Sequence, residues 1–163
     1  MKTICVTGSV ASGKTTIAKE LSKKLKYKYI DVSELIKENK LQGKYIKKLD
    51  THEVDAEKLN KFLERLIKES KENLIIDSHL SHYLDTKYID LCIVCKCEIK
   101  DLKKRLEARE YSKDKIRENL DAEIFDVCLV EALENKHKII VVNTSENNLN
   151  KNISKIISEI KKL

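Results

Sequence analysis

Apolar residues in this chain fall into short unbroken runs and stripes at helical spacing, and the two patterns alternate from end to end. TICVTG is a run, apolar at Ile4, Cys5 and Val6, and predicts a buried strand. From Lys14 to Leu25, Ile17, Ala18, Leu21 and Leu25 share one face of a predicted helix. KYKYIDVS predicts a second strand ending at Asp31, with Ser33 placed to cap the helix ELIKENK. The stretch LQGKYIKKLDTHEVD has weak periodicity and contains Gly43; it reads as a mobile insertion. AEKLNKFLERLIKES carries Leu59, Phe62, Leu63, Leu66 and Ile67 on one amphipathic face. NLIID is a strand whose apolar run stops at Asp77, and DLCIVCK is another. Two helical stretches follow, at about 100–110 and about 113–135, and then KIIVVN as a fifth strand. In the tail, Ile153, Ile156, Ile157 and Ile160 form one stripe, which predicts a helix docked on the core.

Short, nearly continuous apolar strands alternating with helices predict a parallel sheet covered on both faces, an α/β fold. The 163 residues fit one domain, with no internal repeat or linker. Apolar residues at 41% and charged residues at 37% fit a globular protein with a heavily charged surface. No apolar run approaches a membrane span, and MKTICVTG is too short in its apolar part for a secretory signal, so the expected location is intracellular. The five cysteines, an odd number mostly within apolar runs, read as reduced thiols. Cys92 and Cys95 form a C-x-x-C within a strand, where their side chains diverge, and no second pair completes a zinc site. A formal net charge of +6 suits a phosphate-bearing ligand or a nucleic acid, although lysine-rich helix faces explain most of it. Aromatics at 5% leave little surface for stacking bases.

The chain has only three glycines, and two of them, Gly8 and Gly13, frame GSVASGKTT. The string fits G-x-x-x-x-G-K-S/T, after a predicted strand and at the start of a predicted helix. Glycine permits positive φ and lets backbone amides gather as an anion nest at a helix N-terminus. Lys14 then reaches the β- and γ-phosphates, the Thr15 hydroxyl binds Mg²⁺, and Thr16 adds a donor to the α-phosphate. The ligand implied is a nucleoside triphosphate.

Asp77 ends an apolar strand, which places a carboxylate at the carboxyl edge of the sheet beside that loop. It holds Mg²⁺, orients a nucleophile, or caps the following turn. His79, two residues on, positions water, donates to a phosphate, or is simply exposed, as His52, His82 and His137 are expected to be. Arg105 and Arg109 in RLEAR lie four apart on one helical face. Their forked guanidiniums suit the charge on a transferring phosphoryl group, with a salt bridge to Glu107 or Glu110 as the competing role.

Together GSVASGKTT, YIDVSELIKE, IIDSH, RLEAREYS and NLDAEIF resemble the adenylate kinase isoenzyme 6 family, within the nucleoside monophosphate kinases, over nearly the whole chain. The D-x-H after the third predicted strand and the later E-I-F are its narrower marks. The resemblance implies a P-loop fold with a five-stranded parallel sheet, a monophosphate-binding insertion at about 33–56 and a short lid at about 108–118. It implies Mg²⁺-dependent transfer of phosphate from ATP to AMP, ATP hydrolysis as a second activity, and a role in maturation of the small ribosomal subunit. Partners implied are AMP or another monophosphate, a small-subunit ribosomal protein and pre-ribosomal RNA. On this resemblance Ala11, Gly13, Lys14, Thr15, Thr16 and Arg109 hold ATP, Ser33 and Lys37 serve the monophosphate, Thr15 and Asp77 the metal, and Asp77 and His79 are the D-x-H pair. Val10 and Ala11 stand where many relatives have Pro-Gly. Lys37 stands where relatives have arginine, keeping the charge and losing the bidentate fork. An ATPase switch in ribosome biogenesis, and a kinase for cytidylate or dephospho-coenzyme A, remain alternatives.

Overall fold

The computed structural model describes residues 1–145 and 148–163. Its central sheet is parallel throughout, in the order β2-β5-β1-β6-β7. These strands are β1 (Thr3–Gly8), β2 (Lys28–Asp31), β5 (Leu74–Asp77), β6 (Leu91–Lys96) and β7 (Ile139–Asn143), the five that the apolar runs predict. Among the described residues seven α-helices accompany them: α1 (Lys14–Leu25), α2 (Val32–Glu38), α3 (Ala56–Glu69), α4 (Ile99–Glu107), α5 (Lys113–Ile124), α6 (Val127–Glu134) and α7 (Leu149–Ile160).

Alternate strand residues feed two cores. Ile4, Val6, Ile75, Ile93 and Cys95 face Ile17 and Leu21 of α1 and Ile153, Ile156 and Ile160 of α7. Cys5, Ile76, Cys92 and Val94 face the other way, toward Leu59, Leu63 and Ile67 of α3 and Ala132 of α6. Burial on both faces of β1, β5 and β6 is why these strands read as unbroken apolar runs. Cys92 and Cys95 accordingly sit in opposite cores, and all five cysteines are free thiols. The isoleucine stripe of the tail docks as expected: Ile153, Ile156 and Ile160 are buried, each gaining about 1.5–3 kcal/mol from leaving water.

Four local expectations are corrected. The cap of α2 is Asp31, whose carboxylate accepts from the Ser33 and Glu34 amides at 2.9 and 3.3 Å, so Ser33 is a first-turn residue. The stretch expected to be a mobile insertion folds as an antiparallel hairpin, β3 (Gln42–Ile46) and β4 (Thr51–Val54), bridged by a 3₁₀ turn. The Tyr45 ring packs at a tilt against His52, centroids 5.1 Å apart, and its hydroxyl donates to Asp50 at 2.6 Å, which pins the pairing. The helix expected over 113–135 breaks between Ile124 and Val127, where Asp126 takes φ 54. His82 and His137 are buried, because their polar partners come from distant segments: Thr7, Glu131 and the His82 carbonyl.

Candidate active site

The segment from Gly8 to Gly13 turns between β1 and α1 through three positive φ angles: 146° at Gly8, 65° at Ala11 and 87° at Gly13. A Cβ at Gly8 would lie 2.4 Å from the Cys95 carbonyl oxygen and 2.6 Å from Ser12 Oγ, so only glycine fits. The N-cap of α1 is Gly13, which has no side chain to satisfy the first-turn amides, so they are suited to an anion. Lys14 Nζ donates to the Ser9 carbonyl at 3.3 Å. Burial lowers the pKa of Lys14, and the charge of Asp77 opposes that shift.

Two struts hold the loop. Thr144, just past β7, donates through Oγ1 to the Ser12 carbonyl at 2.6 Å. Arg105 donates to the Thr144 carbonyl at 2.8 Å, to Thr144 Oγ1 at 3.2 Å and to the Ala11 carbonyl at 3.4 Å. Its guanidinium thus braces the loop backbone as well as lining a cavity beside it. On the other side, Glu123 is buried and accepts from Ser9 Oγ at 2.6 Å and from the Cys97 amide at 2.8 Å.

Two cavities flank the loop. The first, about 590 Å³, is walled by Gly13, Thr16, Arg105, Thr144, Leu149 and Asn152 among others. The second, about 540 Å³, is walled by Asp31, Ser33, Thr51, Asp77, His79 and Lys115 among others. Lys14, Thr15 and Arg109 line both. The Arg109 guanidinium, beyond the end of α4, stacks 6.0 Å from the Tyr111 ring; Glu107 pairs with Lys103 instead. Ala11, Gly13, Lys14, Thr15 and Thr16 line the first cavity together, and Asp77 and His79 line the second with Lys14 and Thr15. Lys37 is exposed on α2, outside the lining of either cavity.

Asp77 is buried, and register places it between Val6 of β1 and Asp31 of β2. Its Oδ2 accepts from the Tyr29 hydroxyl at 2.8 Å. Burial first, then the Asp77 hydrogen bond, raises the Tyr29 pKa and keeps that hydroxyl a donor. Asp77 Oδ1 is buried and has no hydrogen-bond partner among the described residues. An orphaned carboxylate oxygen at the rim of a cavity holding the Thr15 hydroxyl fits a hard, oxygen-seeking divalent cation. Among the described residues no group of three His, Cys, Asp or Glu side chains could hold a metal by itself.

His79 is exposed at the mouth of the cleft, yet the atoms crowding its ring and then the charge of Lys14 push its pKa down to about 4. Its imidazole is neutral near pH 7. An unfolded histidine takes up its proton near 6.5, whereas this one resists until about 4. Its contribution to stability is complete above about pH 6.5 and is lost as pH falls toward 4. Burial shifts His82 in the same direction, against the opposing pull of Glu131. Replacing His79 by Gln is expected to flatten the decline in Tm from about pH 7 to about pH 5. An unchanged slope in thermal melts would count against this assignment.

Thr144, Asp31 and Tyr29 are given no role by the sequence, and Glu123 stands out only as the first residue of E-I-F. Asp31 carried a usable signal, because KYID ends at the sheet edge as LIID does. Nothing in a single threonine after KIIVVN marks a loop strut.

Fold and loop together define a P-loop kinase-type protein, and the family described as "AAA domain" matches residues 4–126. Solved structures share the fold: shikimate kinase from Acinetobacter baumannii in complex with shikimate (TM-score 0.69, 14% identity, 99% of this chain and 94% of that one). Deoxyadenosine kinase from M. mycoides with bound dATP gives TM-score 0.61 at 18% identity, over 99% of this chain and 100% of that one. A "Putative adenylate kinase" of Methanocaldococcus jannaschii is 39% identical over 97% of this chain and 85% of its own length. The "Adenylate kinase isoenzyme 6 homolog" of Caenorhabditis elegans is 33% identical over 85% of this chain and 76% of its own. The chain belongs to this adenylate kinase isoenzyme 6 family of ATP-dependent nucleotide kinases.

Proposed function

We propose that this protein transfers the γ-phosphoryl group of ATP to AMP, forming two ADP, and hydrolyses ATP slowly when water occupies the acceptor position. The observation that carries this reading is the pair of nucleotide-sized cavities meeting at Lys14, Thr15 and Arg109. ATP takes the first cavity, with its phosphates on the glycine loop and its base toward Leu149 and Asn152. AMP takes the second, against Ser33 and the hairpin. The hairpin and its flanks, about 33–56, act as the monophosphate-binding insertion, and about 108–118 acts as the lid of a single P-loop domain. Lys115 Nζ already reaches the Asp50 carbonyl at 3.1 Å, and Ser112 Oγ the Lys48 carbonyl at 3.5 Å, so lid and insertion meet over the cleft. Lys37 engages the acceptor only through further closure.

In the reaction an AMP phosphate oxygen bonds to the γ-phosphorus as the bridge to the β-phosphate breaks and ADP leaves. An anionic phosphate needs no base, so the chain's work is alignment and charge stabilisation. Lys14 and Arg109, shared by both cavities, face the charge on the moving group, while Arg105 keeps the loop in shape around it. Thr15 and Asp77 Oδ1 would hold Mg²⁺, which supplies positive charge against the phosphate oxygens.

Water, unlike AMP, must shed a proton to attack. Neutral His79, which lines the acceptor cavity, is placed to orient that water, and the proton passes to a phosphate oxygen. His79→Ala is expected to reduce hydrolysis about 10²-fold or more, with ATP affinity and AMP phosphorylation retained. Equal losses of hydrolysis and ATP binding would make His79 a structural residue.

The central test measures products with ATP plus each monophosphate in turn, cytidylate and dephospho-coenzyme A included. Two ADP per ATP, formed only with AMP, is the expected result; turnover indifferent to every acceptor would leave only the ATPase reading. A role in small-subunit maturation rests on the family resemblance and the formal charge of +6. It predicts ATP-dependent capture of small-subunit ribosomal protein or pre-ribosomal RNA.

A further inference from the structure

Glu123 presents a puzzle of charge. Its carboxylate is buried, and among the described residues no lysine or arginine pairs with it. A carboxylate withdrawn from water costs several kcal/mol unless hydrogen bonds compensate, and stability alone is served as well by an apolar side chain. A negative charge one hydroxyl away from a loop that binds polyphosphate also opposes anion binding through space. The contribution of Glu123 to function must then be geometric.

Its geometry is specific. Oε2 accepts from Ser9 Oγ at 2.6 Å, and Oε1 accepts from the Cys97 amide at the end of β6 at 2.8 Å. The Ser9 carbonyl, its position set by that grip, accepts from the Ser12 amide at 3.1 Å and from Lys14 Nζ at 3.3 Å. Glu123 belongs to α5, whose earlier residues Lys115, Glu118, Asn119 and Ala122 line the acceptor cavity. One helix therefore walls the acceptor site and grips the first turn of the phosphate loop.

The geometry points to Glu123 as a positioning residue that couples the lid helix to the seat of Lys14 through Ser9, so that acceptor closure and phosphate-loop alignment change together. This inference rests on the phosphoryl-transfer reading above. Glu123 touches neither nucleotide; it acts by way of Ser9 and Lys14.

The test compares Glu123→Ala, Ser9→Ala, the double variant and Glu123→Gln for kcat, KM for AMP, ATP affinity and Tm. Misaligning a reacting group costs on the order of tenfold to a hundredfold, so each alanine variant is expected to lose that much kcat with ATP affinity changed less. The double variant is expected to be no worse than the poorer single one, since both break one linkage. Glu123→Gln can still accept from the Cys97 amide and donate to Ser9 Oγ, and is expected to recover most of kcat. Multiplying losses, or a fall in Tm with kcat unchanged, would overturn the coupling. Where Glu123→Ala fails to fold, Ser9→Ala and Glu123→Gln decide: a lowered kcat in the first with recovery in the second supports it, and any other pairing overturns it. Should wild-type protein prove unable to phosphorylate AMP, the phosphoryl-transfer reading falls. The same variants compared in single-turnover ATP hydrolysis then read the Ser9–Glu123 linkage by itself.

Discussion

Gly8→Ala is expected to abolish ATP binding and to lower Tm by several degrees. The new methyl carbon would stand 2.4 Å from the Cys95 carbonyl oxygen and 2.6 Å from Ser12 Oγ. Cys95 cannot yield, because its backbone is registered between β1 and β7 inside the sheet. The loop must move instead, and it must also accommodate a side chain at φ 146. Overpacking and backbone strain together cost about 2–5 kcal/mol. At about 3 °C per kcal/mol for a chain of this size, thermal melts should fall by roughly 6–15 °C. Mg-ATP, which should raise the Tm of wild-type protein, should not raise that of the variant. An unaltered melt with a normal ATP-induced shift would mean that the bend is not the phosphate cradle.

Lys14→Met is expected to do the reverse: remove catalysis and leave the fold intact. Lys14 is partly buried, its pKa is lowered by that burial, and its hydrogen-bond partner is a backbone carbonyl already shared with Ser12. Replacing a desolvated ammonium by an apolar chain of similar length is close to neutral for stability. Catalysis has no such substitute, because Lys14 is one of three residues common to both cavities. Turnover should fall about 10³-fold or more, with Tm within a few degrees of wild type. Comparable losses in kcat and in Tm would make Lys14 part of the scaffold.

Elements shaped by two-sided burial were legible in the sequence; elements shaped by contacts between distant segments were not. Strands β1, β5 and β6 announced themselves because both faces of each are covered, and the tail helix because its isoleucines share one stripe. The hairpin β3–β4 is largely exposed, so no apolar alternation marks it; Tyr45, His52 and Asp50 hold it by local polar and ring contacts. The break at Asp126 lacks a glycine or proline to signal it, since an aspartate carries the left-handed turn. The glycine loop and Asp77 were readable because their chemistry dictates residue type and place in the chain. The loop struts were not: Thr144 reaches Ser12 across 132 residues, and Glu123 reaches Ser9 across 114. His82 looked like a surface histidine until Thr7 and Glu131 closed around it.

The central claim is that the two cavities are ends of one phosphoryl-transfer path through Lys14, Thr15 and Arg109. Its most direct test is calorimetric titration with a bisubstrate compound, two adenosines joined by a polyphosphate chain long enough to cross the loop. The account predicts one molecule bound per chain, more tightly than ATP or AMP alone, with both nucleotides excluded by it. Binding no tighter than ATP, with AMP still free to bind, would contradict it.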